Sequence, residues 1–362
     1  MKKIITLANL FAIAATFAQA GAPAAPYYNN FNWNQTGSSL KNALTTKITN
    51  THTKSLNYTS PQPSVWNAIK NTDVDPNNSN NVLLVYGWEN GSDSDVTNDR
   101  SRNKNNNGGN SGEWNREHVY AQSVGTPDLG QSGPGADAHH LRASDVQRNN
   151  SRGNRLFTTG SGNSGAVGLY WYPGDEWKGD VARMMMYMYL RYGNQCLPTA
   201  IGTGSTVASD ANMLTLFLQW NAEDPVSPYE DYRNTYLGNA SNTYGQGNRN
   251  PFIDNPFLAT VIWGGPVAEN RWPNVFLSTE DFEALANVIV YPNPSNNQRI
   301  NIQSQVVLDE IQLINLNGQL VQQIKKPVAQ DNNYSLTDLP QGFYLLRLSS
   351  EHQTVTKKVI VN

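Results

Sequence analysis

The 362-residue chain has a net charge of −3, with 38% hydrophobic and 15% charged residues, so it is neither a disordered polyelectrolyte nor a protein coated in positive potential. Cys196 is the single cysteine and no intrachain disulfide can form. Stability must come from packing, for which 9 Trp, 17 Tyr and 10 Phe supply large apolar surfaces.

Lys2 and Lys3 precede an apolar run that closes on Ala18-Gln19-Ala20, the layout of a secretory signal peptide over residues 1–20. It is too short for a stable membrane span, and no later stretch is apolar enough for one. Residues 21–37 are small and Asn-rich and read as a lead-in. "SSLKNALTTKITN" puts Leu40, Ala43, Leu44 and Ile48 on one helical face, and "SVWNAIKN" predicts a short helix capped by Ser64. "NVLLVYGW" (81–88) predicts a buried strand, and the polar, Asn- and Gly-rich stretch 89–112 a loop leading to a second strand in "EWNREHVYAQS".

"KGDVARMMMYMYLRYG" (178–193) is apolar nearly all round and stops at Gly193, as expected of a helix at the centre of a core. Helices are predicted for "DANMLTLFLQW" (210–220) and for "SPYEDYRNTY" (227–236), the latter with Ser227 at the cap and Pro228 in the first turn. From Val288 onward the chain breaks into short alternating strands, and Asn317-Gly318 between two of them predicts a two-residue hairpin turn. A small β-sandwich over 288–362, joined by a linker at 266–287, is the expected C-terminal unit.

Chemistry concentrates between residues 112 and 155. His118, His139 and His140 sit there with Glu117, Asp137 and Asn149, and Arg142, Arg148, Arg152 and Arg155 outnumber the one acid in their window, Asp145. Each has an ordinary structural explanation when taken alone: a solvated strand end, a backbone-bonded histidine pair, a polar turn. Together they meet the needs of phosphodiester hydrolysis. Histidine is a base poised near neutrality. Glu and Asn are hard oxygen ligands suited to Mg²⁺ or Ca²⁺, and arginines clamp phosphate. A zinc site built from the three histidines is a competing arrangement.

"WNREHVYAQSVG" and "DAHHLRASDVQRNNSRGNRLF", with "KGDVARMMMYMYLRYG", "WNAEDPVSPYEDYRN" and "QGNRNPFIDNP", resemble the endonuclease I family of secreted bacterial nucleases in the ββα-metal (His-Me finger) superfamily. The resemblance implies an α+β nuclease domain over 21–265, with a ββα-metal core and surrounding helices, that cuts DNA, RNA or both with little sequence preference. It makes His118 the general base and Glu117 and Asn149 the protein ligands of one divalent ion, Mg²⁺ by expectation, with Ca²⁺ and Mn²⁺ as alternatives. Some relatives bind phosphate with an arginine in the loop after the base. That loop has none here, so Arg142 and Arg152, then Arg148, are the expected phosphate ligands. His139, His140 and Asp137 are expected in support, orienting His118 or the hairpin, and Arg183, Arg233 and Arg249 in structural ion pairs.

"VYPNPSNNQRINIQ", "IQLINLNGQLV", "LPQGFYLLRL" and the closing "KKVIVN" resemble the type A C-terminal sorting domain of the type IX secretion system of Bacteroidetes. That implies passage through the periplasm and the outer membrane to the cell surface or medium, with the secretion machinery as a partner; a monomer is the expected working state. The alternatives are a phosphodiesterase or phosphatase acting on small substrates and a non-catalytic surface module holding glycan or Ca²⁺.

Overall fold

A computed structural model of the chain describes residues 21–276, 285, 287–350 and 353–362. The expected signal peptide and residues 277–284 and 286 of the expected linker lie outside them. The chain divides into two compact units, Met1–Val275 and Phe276–Asn362.

The first unit opens with α1 (Gly37–Thr51), whose Leu40, Leu44 and Ile48 are buried, and α2 (Val65–Thr72). Before them, Tyr28 and Trp33 of the lead-in pack on Trp272. Strands β1 (Val74–Asp75), β2 (Asn78–Leu83) and β3 (Ser101–Asn103) form one antiparallel sheet. The strand expected to run to residue 88 therefore ends at Leu83, and the expected loop contains β3, with Asn81 opposite Asn103. The ladder stops because Val85 N–H donates to Ala143 O (2.8 Å) of another strand, and Tyr86 then turns into the left-handed region (φ 74°). Gly87 follows, where any Cβ would overlap the Asp99 carbonyl.

Next come β4 (Trp114–His118) and, after a long connection, β5 (Leu141–Asp145), paired antiparallel with Glu117 opposite Arg142 and His118 opposite Leu141. Helix α3 (Val146–Arg152) follows at once, because the Asp145 carboxylate accepts from the backbone N–H groups of Gln147 (2.8 Å) and Arg148 (2.9 Å). A short hairpin of β6 (Gly165–Val167) and β7 (Tyr170–Tyr172) leads to α4 (Lys178–Tyr192). Gly179–Leu190 of α4 are buried throughout, and the helix packs on several neighbours, α1 among them.

After α5 (Pro198–Ile201), the helix expected at 210–220 is in fact β9 (Asp210–Leu214), paired with β8 (Thr206–Val207), followed by α6 (Thr215–Glu223). Asp210 is drawn out of helix by tertiary partners: its carboxylate accepts from Lys41 Nζ (2.7 Å), Tyr189 Oη (3.0 Å) and Trp263 Nε1 (3.1 Å). Helix α7 (Pro228–Gly238) carries the expected Ser227 cap, reinforced by Glu230 reaching back, and α8 (Pro251–Asp254) and α9 (Phe257–Trp263) complete the unit. Residues 266–275, expected as linker, belong to this unit, with Trp272 buried and Arg271 paired to Asp231 at 2.7 Å.

Arginine–carboxylate pairs run through this interior. Asp73 accepts from Arg142 Nε (3.0 Å), Ala143 N (2.9 Å) and Arg233 Nη1, while Arg142 Nη1 donates to Asp180 Oδ2 (2.9 Å). Arg183 grips Glu230 with two bonds (2.6 and 2.8 Å), and Arg249 grips Asp254. These match the ion-pair roles expected for Arg183, Arg233 and Arg249.

In the second unit β10 (Ile289–Tyr291), β11 (Ile300–Gln303) and β14 (Asn333–Leu336) form one sheet, and β12 (Glu310–Asn315), β13 (Leu320–Lys325), β15 (Gly342–Ser350) and β16 (Gln353–Val361) another. Ile300, Ile302 and Leu336 of the first share a core with Ile311, Leu313 and Leu346 of the second. The turn at Asn317-Gly318 is longer than expected. Asn315 N–H donates to Gln319 O (3.0 Å) and Gly318 N–H to Asn315 O (2.9 Å), enclosing three residues with Gly318 in the left-handed region.

Removing Asp73 would leave the buried Arg233 guanidinium with no carboxylate among the described residues and Arg142 with Asp180 alone. Asp73→Ala should lower the unfolding free energy by about 3–5 kcal/mol in urea titrations, and a loss under about 1 kcal/mol would contradict the clamp.

Candidate active site

Successive residues of β4 alternate between faces. Trp114, Arg116 and His118 point to one side, where the Trp66 ring lies 5.3 Å from Trp114 and the Tyr58 ring 5.3 Å from His118. Asn115 and Glu117 point to the other, toward α3. No register shift interrupts the β4–β5 ladder, so no bulge turns Glu117 and His118 to a common face. They meet because the strand ends at His118. A cavity of about 410 Å³ wraps that end, lined by Arg116, Glu117, His118, Asn149 and Arg152 among others.

Glu117 is buried, at 2% exposure. Its Oε1 accepts from Tyr86 Oη (2.9 Å) and lies 3.3 Å from Arg152 Nη1. Its Oε2 has no hydrogen-bond donor among the described residues. Burial pushes this carboxyl up to about 7, against the opposing pull of Arg152 and the Tyr86 hydroxyl.

His118 Nε2 lies 3.0 Å from the Gly135 carbonyl, which can only accept, so Nε2 carries the proton and Nδ1 keeps its lone pair. Burial, then the His140 ring 5.5 Å away, lowers its pKa to about 3 and keeps the imidazole neutral. Gly135 can sit there only as glycine, because a Cβ would overlap the Gly130 carbonyl.

Asn149, on α3, donates its amide nitrogen to Asn115 Oδ1 (2.7 Å) and more weakly to Arg116 O (3.4 Å). That fixes the flip of the amide and leaves Oδ1 as the atom available to a ligand. Glu117 and Asn149, from two elements, thus line one cavity, each with an oxygen that has no hydrogen-bond partner among the described residues, and such oxygens are the donors a hard divalent cation takes. Among the described residues no group of three or more His, Cys, Asp and Glu side chains could hold a metal, which removes the three-histidine zinc arrangement. Each of the three Nε2 atoms faces a backbone carbonyl instead: Gly135 for His118, Asn248 for His139 (3.0 Å), Pro134 for His140 (2.7 Å).

The expected supporting residues sit behind the hairpin. Asp137 accepts from Tyr187 Oη (2.8 Å), Tyr192 Oη (2.8 Å), Gln246 Nε2 (3.0 Å) and His139 N (2.9 Å). Burial opposes its ionisation, yet His52, His139 and these donors hold it below the ordinary carboxylate range. Burial lowers His139 and His140 to about 4.

The expected phosphate arginines are placed otherwise. Arg142 shares a face with Glu117 across the ladder but is fully buried and spent on Asp73 and Asp180, which hold it away from the cavity lining. Arg148 lies over the Trp88 ring (4.2 Å) and donates to Ser164 O (3.0 Å), also off the lining. Arg152 does line the cavity, but its Nη atoms tie down the carbonyls of His118 (3.1 Å) and Val119 (2.8 Å). It braces the strand end. Sequence reasoning missed Tyr86 and Arg116. Arg116 was legible from strand alternation, two residues before His118, whereas Tyr86 reaches Glu117 from the turn after β2 and left no local signal.

Comparison with known proteins places this cavity in context. The Endonuclease I family model matches residues 36–257, and the model of the secretion system C-terminal sorting domain matches 289–362. An "Extracellular ribonuclease" of Bacillus subtilis (strain 168) is 44% identical over 258 residues, 67% of this chain and 82% of that protein. One of Bacillus amyloliquefaciens is also 44% identical, over 63% of this chain and 75% of that protein.

The buried His139 makes stability depend on pH. Its folded pKa of about 4 lies below the unfolded value of about 6.5, so between these the unfolded chain binds more protons and stability falls as pH falls. Relative to His139→Asn, the parent should lose roughly 1.4 kcal/mol per pH unit through that window in urea titrations. Parallel curves for the two proteins would contradict a neutral, buried ring.

Proposed function

The chain belongs to the endonuclease I family, and on that premise we propose that it hydrolyses phosphodiester bonds at the cavity around the end of β4, using one divalent cation on Glu117 and Asn149. The family and the sorting domain make it an extracellular nuclease exported by type IX secretion to the cell surface or beyond. Among the described residues no helix is long and apolar enough to cross a membrane.

One observation carries the reading. The neutral imidazole of His118 lines one cavity with Glu117 and Asn149, and among the described residues its Nδ1 and one oxygen of each of the other two have no hydrogen-bond partner. The β4–β5 pair and α3 then serve as a ββα-metal core. His118 Nδ1 takes the proton from the attacking water, while the Gly135 carbonyl keeps Nε2–H in place and so fixes the tautomer. Arg152 holds the His118 carbonyl and keeps the base at the strand end, and Tyr86 orients the Glu117 carboxylate. The cation, when bound, supplies positive charge for the five-coordinate phosphorus and the leaving 3′ oxygen. Mg²⁺ suits the all-oxygen donor set, with Mn²⁺ or Ca²⁺ as substitutes. The Bacillus relatives are extracellular ribonucleases by name, which favours RNA as a substrate, with DNA not set apart by anything in the cavity.

The mature protein should degrade RNA or supercoiled plasmid with Mg²⁺ and stop when a chelator is added. His118→Ala should lower kcat by ~10²–10⁴, and Asn149→Ala should chiefly raise the Mg²⁺ concentration needed for half-maximal rate. A folded His118→Ala protein as active as its parent would remove the base assignment.

A further inference from the structure

Arg116 is a cation without an anion. Among the described residues no carboxylate pairs with it, unlike Arg142, Arg152, Arg183, Arg233 and Arg249. It is half-buried in the cavity lining. Its guanidinium lies 3.5 Å over the Tyr58 ring centroid and 4.3 Å from that of Trp66. Nη1 is bonded to the Tyr58 carbonyl and to Thr59 Oγ1 (3.2 Å), and Nε is buried with no partner. Nη2 makes no hydrogen bond among the described residues.

Desolvating a guanidinium is costly unless it is paired, and this one is held by stacking and by carbonyl oxygens that do not neutralise it. Ring contacts remove its rotational freedom, and its in-plane Nη2 edge stays uncommitted. Such a preorganised guanidinium on a cavity wall, with Nη2 uncommitted among the described residues, matches a phosphate oxygen. Tyr58, which supports it, also lies against the His118 ring, so the anion would lie beside the base.

From this geometry we infer that Arg116, clamped between Tyr58 and Trp66, binds a backbone phosphate of the nucleic-acid substrate, filling the place expected of Arg142 or Arg152. The inference rests on reading the cavity as the phosphodiester site.

The test measures binding without turnover. His118→Ala protein in chelator is titrated against a fluorescent single-stranded oligonucleotide and against its uncharged methylphosphonate counterpart, with and without Arg116→Gln. The Gln variant should bind the phosphodiester probe roughly tenfold more weakly, the effect of one charge-assisted hydrogen bond. The slope of log affinity on log salt should shrink by about 0.7, the value of one phosphate contact on a single strand. Binding of the methylphosphonate probe should not change. Arg116→Lys keeps charge and stem; it should keep the salt slope and lose part of the affinity, because an ammonium lacks the planar fork.

Unchanged affinity and slope in Arg116→Gln would overturn the inference, as would an equal loss for the uncharged probe. Should Arg116→Gln fail to melt cooperatively, the Lys variant decides: parental affinity there overturns it. An active parent whose Arg116→Gln form keeps its KM sinks this inference alone. A parent that cuts neither RNA nor plasmid sinks the nuclease reading and this inference with it.

Discussion

Neighbouring side chains on a strand face opposite ways, and the site is built around that constraint. Glu117 and His118 could not share a ligand from the middle of a ladder. Pairing with β5 fixes both residues, and the ladder's end at His118–Leu141 lets one cavity reach them both. Everything nearby serves that termination: Arg152 ties the His118 and Val119 carbonyls, and the Gly135 carbonyl receives the imidazole N–H. Asp145 ends β5 and caps α3 in one residue, which sets where Asn149 lies.

The interior around this strand end is unusually ionic. Burial of an arginine is tolerated where a carboxylate meets it with good geometry, as Asp73 and Asp180 meet Arg142 and Glu230 meets Arg183. The polar interior has a division of labour. Arginines with acid partners hold elements together, while Glu117 at the cavity keeps one oxygen without a donor among the described residues, and burial raises its carboxyl despite Arg152 beside it. Sequence alone cannot separate these two populations, because both read as Arg and Glu in polar-looking stretches.

What was legible followed local rules. The apolar faces of α1 and α4, the Ser227 cap and the alternating strands of the second unit all express short-range periodicity or capping chemistry. Base and ligand candidates stood out because Glu117, His118 and Asn149 lie in one recognisable stretch. The misreadings came from distant partners. Asp210 became a strand residue because Lys41, Tyr189 and Trp263 hold its carboxylate, and Arg142 turned inward because Asp73 and Asp180 wait there. Residues 266–275 joined the first unit through Trp272 and Arg271, whose contacts are equally remote in sequence.

Tyr86 adopts a backbone shape that suits glycine or asparagine, at a cost of about 1–3 kcal/mol, while its hydroxyl steadies Glu117. On the proposed reading of Glu117 as a metal ligand, hardiness and turnover pull in opposite directions at this one residue. Selection for heat tolerance alone would drift toward a smaller, relaxed residue and give a tougher protein with a loosened carboxylate. The awkward posture of this tyrosine is the cost of a carboxylate held from across the fold.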